Sequence, residues 1–145
     1  MWETSAINGD ENMTESECDA FLRQIRIGTL CTLNEDGSPN AVPLWYEWNG
    51  EKIRLFSSRD TGKVRRLTND PRACFSVEDP VGVPEAWVTV EGTIRILNRG
   101  GKELAVKLAK LYYEGEQRTQ TVAKWSKKND WVLLELTPSR IRSMT

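Results

Sequence analysis

The sequence predicts an α+β protein in which six antiparallel strands roll into a small barrel flanked by helices. Three observations carry this. Apolar residues alternate with a period of two in six segments, they recur at helical spacing in the stretches between, and glycine or proline punctuates the joins. At 145 residues the chain fits a single domain.

Residues 1–12 are polar and unpatterned, so they read as a flexible N-terminal leader, with Met13 an alternative start and 13–145 the folded domain. Thr14 and Glu17 have capping-box spacing, and Cys18, Phe21, Leu22 and Ile25 follow at helical offsets, which predicts a helix ending before Gly28. Strands at 28–33 and 40–48 flank the turn Asn34-Glu35-Asp36-Gly37. A second turn, Asn49-Gly50, leads into a third strand at 52–57, where Ile53, Leu55 and Ser57 alternate with Arg54 and Phe56. These strands read as a meander in sequential order. Trp45 and Trp48, three apart, must face opposite sides, one of them in the core.

A basic helix runs from Thr61 to Asn69 and stops at Asp70-Pro71, because proline cannot continue it. A strand at 72–77, a loop at 79–84 and a long strand at 86–97 follow, with Gly92 marking a bulge or bend. Helical spacing returns over 101–128, with Leu104, Leu108 and Leu111 as a core stripe and a break near Gly115 before Val122 and Trp125. The sixth strand, 131–136, is closed by Thr137-Pro138.

Composition excludes several functions. Twenty basic against 21 acidic residues leave a net charge of −1, so no global field recruits nucleic acid or an acidic membrane. No apolar run nears the roughly 20 residues that cross a bilayer. The three cysteines lack CxxC spacing and no signal-peptide pattern opens the chain, which points to buried thiols in the cytoplasm. Histidine is absent, which removes Ser-His-Asp and Cys-His hydrolysis and His-ligated zinc or haem in their usual forms. No metal site and no catalytic side chain can be assigned. Any chemistry then belongs to a bound organic cofactor.

The segment Ser57-Ser58-Arg59-Asp60-Thr61-Gly62-Lys63-Val64-Arg65-Arg66-Leu67 points to what is bound. A strand runs out through two hydroxyls into the start of a basic helix, where free N–H groups and the helix dipole favour an anion, so a phosphate centred on Lys63 is expected. Arg65 and Arg66 read as surface or ion-pair residues. Asp60 either caps the helix or restrains Arg59.

Several segments, in this order and spacing, resemble the pyridoxamine 5′-phosphate oxidase-like, flavin-binding split-barrel family over residues 14–145. They are Gly28-Thr29-Leu30-Cys31-Thr32-Leu33, Asp36-Gly37-Ser38-Pro39-Asn40-Ala41-Val42-Pro43-Leu44-Trp45, Leu55-Phe56-Ser57-Ser58, Gly62-Lys63-Val64-Arg65-Arg66-Leu67, Asn69-Asp70-Pro71-Arg72-Ala73 and Val88-Thr89-Val90-Glu91-Gly92-Thr93. The resemblance implies a split barrel that forms a homodimer and binds flavin mononucleotide (FMN), or alternatively the deazaflavin coenzyme, in two clefts at the subunit interface. Carried onto this sequence, Ser57, Ser58, Arg59 and Lys63 would hold the phosphate. Asn40, Val42, Pro43, Leu44 and Trp45 would lie along the ring, and Trp87 and Trp131 would come from the partner subunit.

The implied activity is an FMN-binding oxidoreductase moving hydride between flavin and a small-molecule substrate. The alternatives are a deazaflavin-dependent reductase and a non-catalytic flavin-binding protein. This chain has Arg59-Asp60 where true pyridoxamine phosphate oxidases often carry adjacent Arg and Lys, and it lacks their substrate-binding histidine. Oxidation of pyridoxamine phosphate itself is therefore not implied.

Overall fold

The computed structural model describes residues 12–145 and the backbone of 3–5. Thr14 opens the first helix, α1 (Glu15–Leu22), with both halves of a capping box: its hydroxyl accepts from Glu17 N, and Glu17 Oε1 accepts from Thr14 N at 3.0 Å. Cys18, Phe21 and Leu22 turn into the core. Ile25 was expected to join them, but the helix ends at Leu22 and Ile25 is 57% exposed. The chain there is fixed instead by Arg26, whose guanidinium bonds Phe21 O at 2.5 Å and Asp79 Oδ1 at 2.8 Å.

The described residues hold eight strands, in chain order β1 (Glu3–Ser5), β2 (Gly28–Leu33), β3 (Pro39–Leu44), β4 (Glu47–Trp48), β5 (Ile53–Ser58), β6 (Arg72–Glu78), β7 (Trp87–Leu97) and β8 (Trp131–Met144), of which β1 precedes α1. Seven of them form one antiparallel path, β3-β2-β6-β7-β8-β5-β4, and β1 lies parallel to β8 off that path. Two expectations are corrected here. The path holds seven strands, not six, because the strand expected at 40–48 breaks at Trp45-Tyr46, where Tyr46 enters the core and donates to Gln24 O. The order is not sequential, because helix α2 (Gly62–Asn69) carries the chain from β5 across to β6, which adds to β2 and leaves β5 to pair with β8. Within the segment read as a leader, residues 3–5 form β1, and the remainder lies outside the described residues.

The barrel interior is filled from alternate positions of these strands. Leu30, Leu55, Phe75, Val90, Leu134 and Ile141 are all fully buried. Trp48 is buried too and its Nε1 donates to Asp19 Oδ1 at 2.9 Å, which ties β4 to α1. Helix α3 (Gly101–Tyr112) covers the outer face of β5 and β8, with Leu104 and Leu108 against Leu133. Leu111 of the expected stripe is 48% exposed, because the buried face runs through Leu104, Ala105, Leu108 and Ala109 instead. Helix α4 (Gly115–Ser126) packs on α3 and buries none of its residues fully.

Pro138 does not end the last strand. The β7–β8 register shifts between Glu91 and Gly92, so that Gly92 faces Pro138 and Glu91 faces Arg140, leaving Ser139 as the bulged residue. A proline lacking an N–H is tolerated at such a bulge, and β8 continues to Met144. Gly92 is required by close approach, since a Cβ there would stand 1.9 Å from Thr137 O. No described helix is long and apolar enough to cross a membrane.

Candidate functional site

Alternation along β5 sends Ile53, Leu55 and Ser57 inward and Arg54, Phe56 and Ser58 outward. Ser57 is thereby committed to the scaffold: its hydroxyl donates to Ser58 O at 2.8 Å and lies 2.9 Å from Thr61 Oγ1. Thr61 caps α2, accepting from Val64 N at 3.4 Å, and this leaves Gly62 and Lys63 with first-turn N–H groups that no helix carbonyl can reach. The positive end of the α2 dipole thus sits beside the outward hydroxyl of Ser58.

Two lysines complete this corner. Lys63 is half-buried and makes no hydrogen bond or ion pair with any described residue. Burial, and secondly the charge of Arg66, pull its ammonium below the usual 10.5. Lys128 donates to Ser58 Oγ, stands 3.7 Å from Asp130 Oδ1 and lies 4.6 Å from the Trp131 ring centre. Lys63 is therefore a cation whose counter-charge the described residues do not supply.

From this corner opens a cleft of about 480 Å³. Its walls are Pro43 and Leu44 at the end of β3 with Trp45 just beyond, Phe56 to Ser58 on β5, Thr61 and Lys63 at the start of α2, and Tyr113, Trp125, Lys128 and Trp131. Trp45 stacks on Tyr112 with ring centres 4.7 Å apart and planes 12° apart, and Tyr113 meets it edge-on at 4.7 Å. Phe56, Trp125 and Trp131 form an edge-to-face triangle with sides of 5.4, 5.4 and 5.5 Å. Trp131 Nε1 donates to Trp125 O at 3.1 Å, which anchors the end of α4 over the cleft. Two ammonium groups, several hydroxyls and aromatic walls, without a carboxylate in the lining, suit an anion joined to a flat apolar body.

Of the residues singled out in the sequence, Pro43, Leu44, Trp45, Ser57, Ser58, Lys63 and Trp131 meet in this cleft. Trp131 reaches it from the same chain as its ladder partner Ser58, whereas the resemblance had assigned it to the partner subunit. Four do not line it. Asn40 lies farther back on β3 opposite Thr32, Val42 packs on the barrel core, and Trp87 starts β7 opposite Met144. Arg59 turns away: its guanidinium donates to Asn98 Oδ1 at 2.5 Å and its N–H to Asp130 O. Asp60 takes neither expected role, because Thr61 caps the helix and Asp60 pairs with Arg65 at 2.7 Å.

Phe56, Thr61, Tyr113, Trp125 and Lys128 belong to the cleft and were missed. Trp125 carried a usable signal, since a tryptophan in an otherwise polar helical stretch has few apolar neighbours on its own helix and must find cover elsewhere. Lys128 carried none.

The sequence matches the family described as pyridoxamine 5′-phosphate oxidase over residues 14–145. A 5a,11a-dehydrotetracycline/5a,11a-dehydrooxytetracycline reductase of Streptomyces rimosus is 33% identical over 90 residues, covering 57% of this chain and 63% of that protein. Among solved structures, a conserved hypothetical protein of Mycobacterium tuberculosis, Rv2991, superposes with a TM-score of 0.74 at 28% identity, over 94% of this chain and 88% of the other. A structure described as an F420 reductase gives a TM-score of 0.69 at 24% identity, over 85% of this chain and 94% of the other.

Proposed function

Because the chain belongs to the pyridoxamine 5′-phosphate oxidase family, we propose that its aromatic cleft binds FMN, and that the protein is an oxidoreductase acting on a small organic substrate. The observation that carries this is Lys63, a half-buried ammonium without a partner among the described residues, set beside the α2 N-terminus at one end of a flat-walled cleft. A terminal phosphate supplies the missing counter-charge. Ser58 Oγ, the N–H groups of Gly62 and Lys63, and Lys128 are placed to donate to it. The side chains of Pro43, Leu44 and Trp45 would then flank the ring system.

When bound, the flavin supplies the hydride chemistry, and the chain's residues bind and orient it. The lining offers no carboxylate or imidazole to relay a proton. The reductase relative from Streptomyces rimosus favours reduction of the substrate as the direction. The open side of the cleft favours a homodimer in which a second copy completes it, and the free cysteines are consistent with a cytoplasmic setting. Steady turnover of the loaded protein with a reduced nicotinamide donor and an acceptor from a panel of activated alkenes supports the enzymatic reading. Tight binding without turnover across the panel would reduce it to a flavin carrier.

A second reading, the deazaflavin coenzyme, is favoured by the second cation in the cleft, Lys128, and by the similarity to the F420 reductase structure. Parallel titrations with FMN and the deazaflavin decide between them by affinity.

A further inference from the structure

The other large cavity, about 520 Å³, lies where the β2–β6 ladder ends, and its lining includes two cysteines that the cleft does not use. Cys31 and Cys74 are direct ladder partners and the last pair of that ladder. Beyond them Thr32 and Leu33 pair only with β3, and Ala73 and Arg72 only with β7, so the strands part and the cavity opens. Leu30 and Phe75, the preceding pair, are fully buried, so the alternation puts both thiols on the outer face, where each is part-exposed. Both line the cavity as a cross-strand pair.

Directly opposed residues of an antiparallel pair have Cα atoms about 4.5–5.5 Å apart, inside the roughly 4.4–6.8 Å span that a disulfide bridges. A pair at the end of its ladder also has free backbone on one side to absorb the adjustment. Cys18, in contrast, is fully buried on the inner face of α1.

We propose that Cys31 and Cys74 form a dithiol site that a low-molecular-weight disulfide oxidises to a cross-strand disulfide. The Cys31 sulfur, as thiolate, attacks the reagent disulfide RSSR; a protein–S–SR bond forms and one RS⁻ leaves, taking up a proton as RSH. Cys74 then loses its proton to solvent and its sulfur displaces the second RS⁻, which is also protonated. Two thiols are oxidised to one disulfide and RSSR is reduced to two RSH. Burial first, and then the adjacent Cys31, push the Cys74 thiol up to about 11, so it stays protonated during the first attack and leaves that step to Cys31. The bridge would join β2, which leads into the β3 wall of the cleft, to β6, which follows the phosphate-side helix α2.

The test uses the reduced full-length chain, incubated with excess oxidised glutathione, then unfolded and alkylated. The expected result is loss of two of the three thiols, with peptide mapping that finds an intrachain Cys31–Cys74 link and an alkylated Cys18. Glutathione adducts that never close, a link between two chains, or three intact thiols under conditions that oxidise the urea-unfolded chain would each overturn the proposal. Phenylarsine oxide gives a second readout, because one arsenic needs two sulfurs side by side. It should bind the wild-type fold once per chain and fail to bind Cys31→Ser or Cys74→Ser; absence of binding to the folded wild type counts against the site whether or not the variants fold.

Discussion

Replacing Lys63 by methionine keeps the length of the side chain and removes its charge. In the free protein that charge has no described partner and is partly desolvated, so its loss should leave stability unchanged or slightly raised. In the complex it would make a charge-assisted hydrogen bond to phosphate, worth about 1.5–3 kcal/mol in general, and the open cleft argues for the lower end, about 1.5–2 kcal/mol. That corresponds to about 10- to 30-fold in affinity. The assay compares FMN with riboflavin, which carries the ring without the phosphate. Lys63→Met should weaken FMN binding by that factor, leave riboflavin binding unaltered and leave the urea midpoint in place. The pH dependence has a definite sign. The folded ammonium loses its proton below the usual 10.5, so wild-type FMN affinity should fall as pH rises through the alkaline range short of 10.5, and Lys63→Met should show a smaller fall. Equal losses for FMN and riboflavin, or a stability drop without ligand, would refute the assignment of Lys63 to the phosphate.

Other outcomes follow from the scaffold. Gly92→Ala drives a Cβ onto Thr137 O and should cost about 1–3 kcal/mol by urea unfolding, whereas Gly37→Ala, whose Cβ meets nothing but whose φ of +85° strains an alanine, should cost about 1 kcal/mol. Thr14→Ala should cost about 1 kcal/mol at neutral pH. Glu17, held low by the backbone of Thr14, and Asp19, held low by Arg23 and then Trp48, contribute stability that is present above the ordinary carboxylate range and lost as pH falls through their depressed folded values. The stability lost in Glu17→Ala should accordingly shrink in strong acid, as paired urea titrations would show. Light scattering at micromolar protein should give twice the chain mass of 16.6 kDa, and a monomer mass would contradict the shared-cleft arrangement.

Elements whose cause is local were legible in the sequence. The Thr14–Glu17 capping box, the Thr61-to-Asn69 helix stopped by Asp70-Pro71, the alternation of Ile53, Leu55 and Ser57, and the bulge at Gly92 depend on residues a few positions apart, and each was found where spacing put it. Sheet order was not legible, because the partner of β5 is decided by where α2 delivers β6, some 70 residues before β8 arrives, and no local pattern encodes it. Pro138 misled for a related reason: a proline in a strand reads as a stop unless the bulge that accommodates it is known.

The candidate site divides in the same way. The phosphate corner was visible because Ser57, Ser58, Thr61, Gly62 and Lys63 are contiguous, although the structure uses Ser57 and Thr61 chiefly to shape the turn and points Arg59 elsewhere. The aromatic wall was half visible. Trp45 and Trp131 were named, but Tyr113 and Trp125 come from the α3–α4 region and reach the cleft only through packing.

The central claim is that this cleft binds a phosphorylated flavin-type ring, and tryptophan fluorescence reads it directly, since Trp45, Trp125 and Trp131 line the walls. Titration of the purified chain with FMN and, in parallel, with the deazaflavin coenzyme should quench that emission saturably, reaching one ligand per chain. Emission that stays constant with both ligands up to high micromolar concentration, in protein whose circular dichroism shows it folded, would contradict the account.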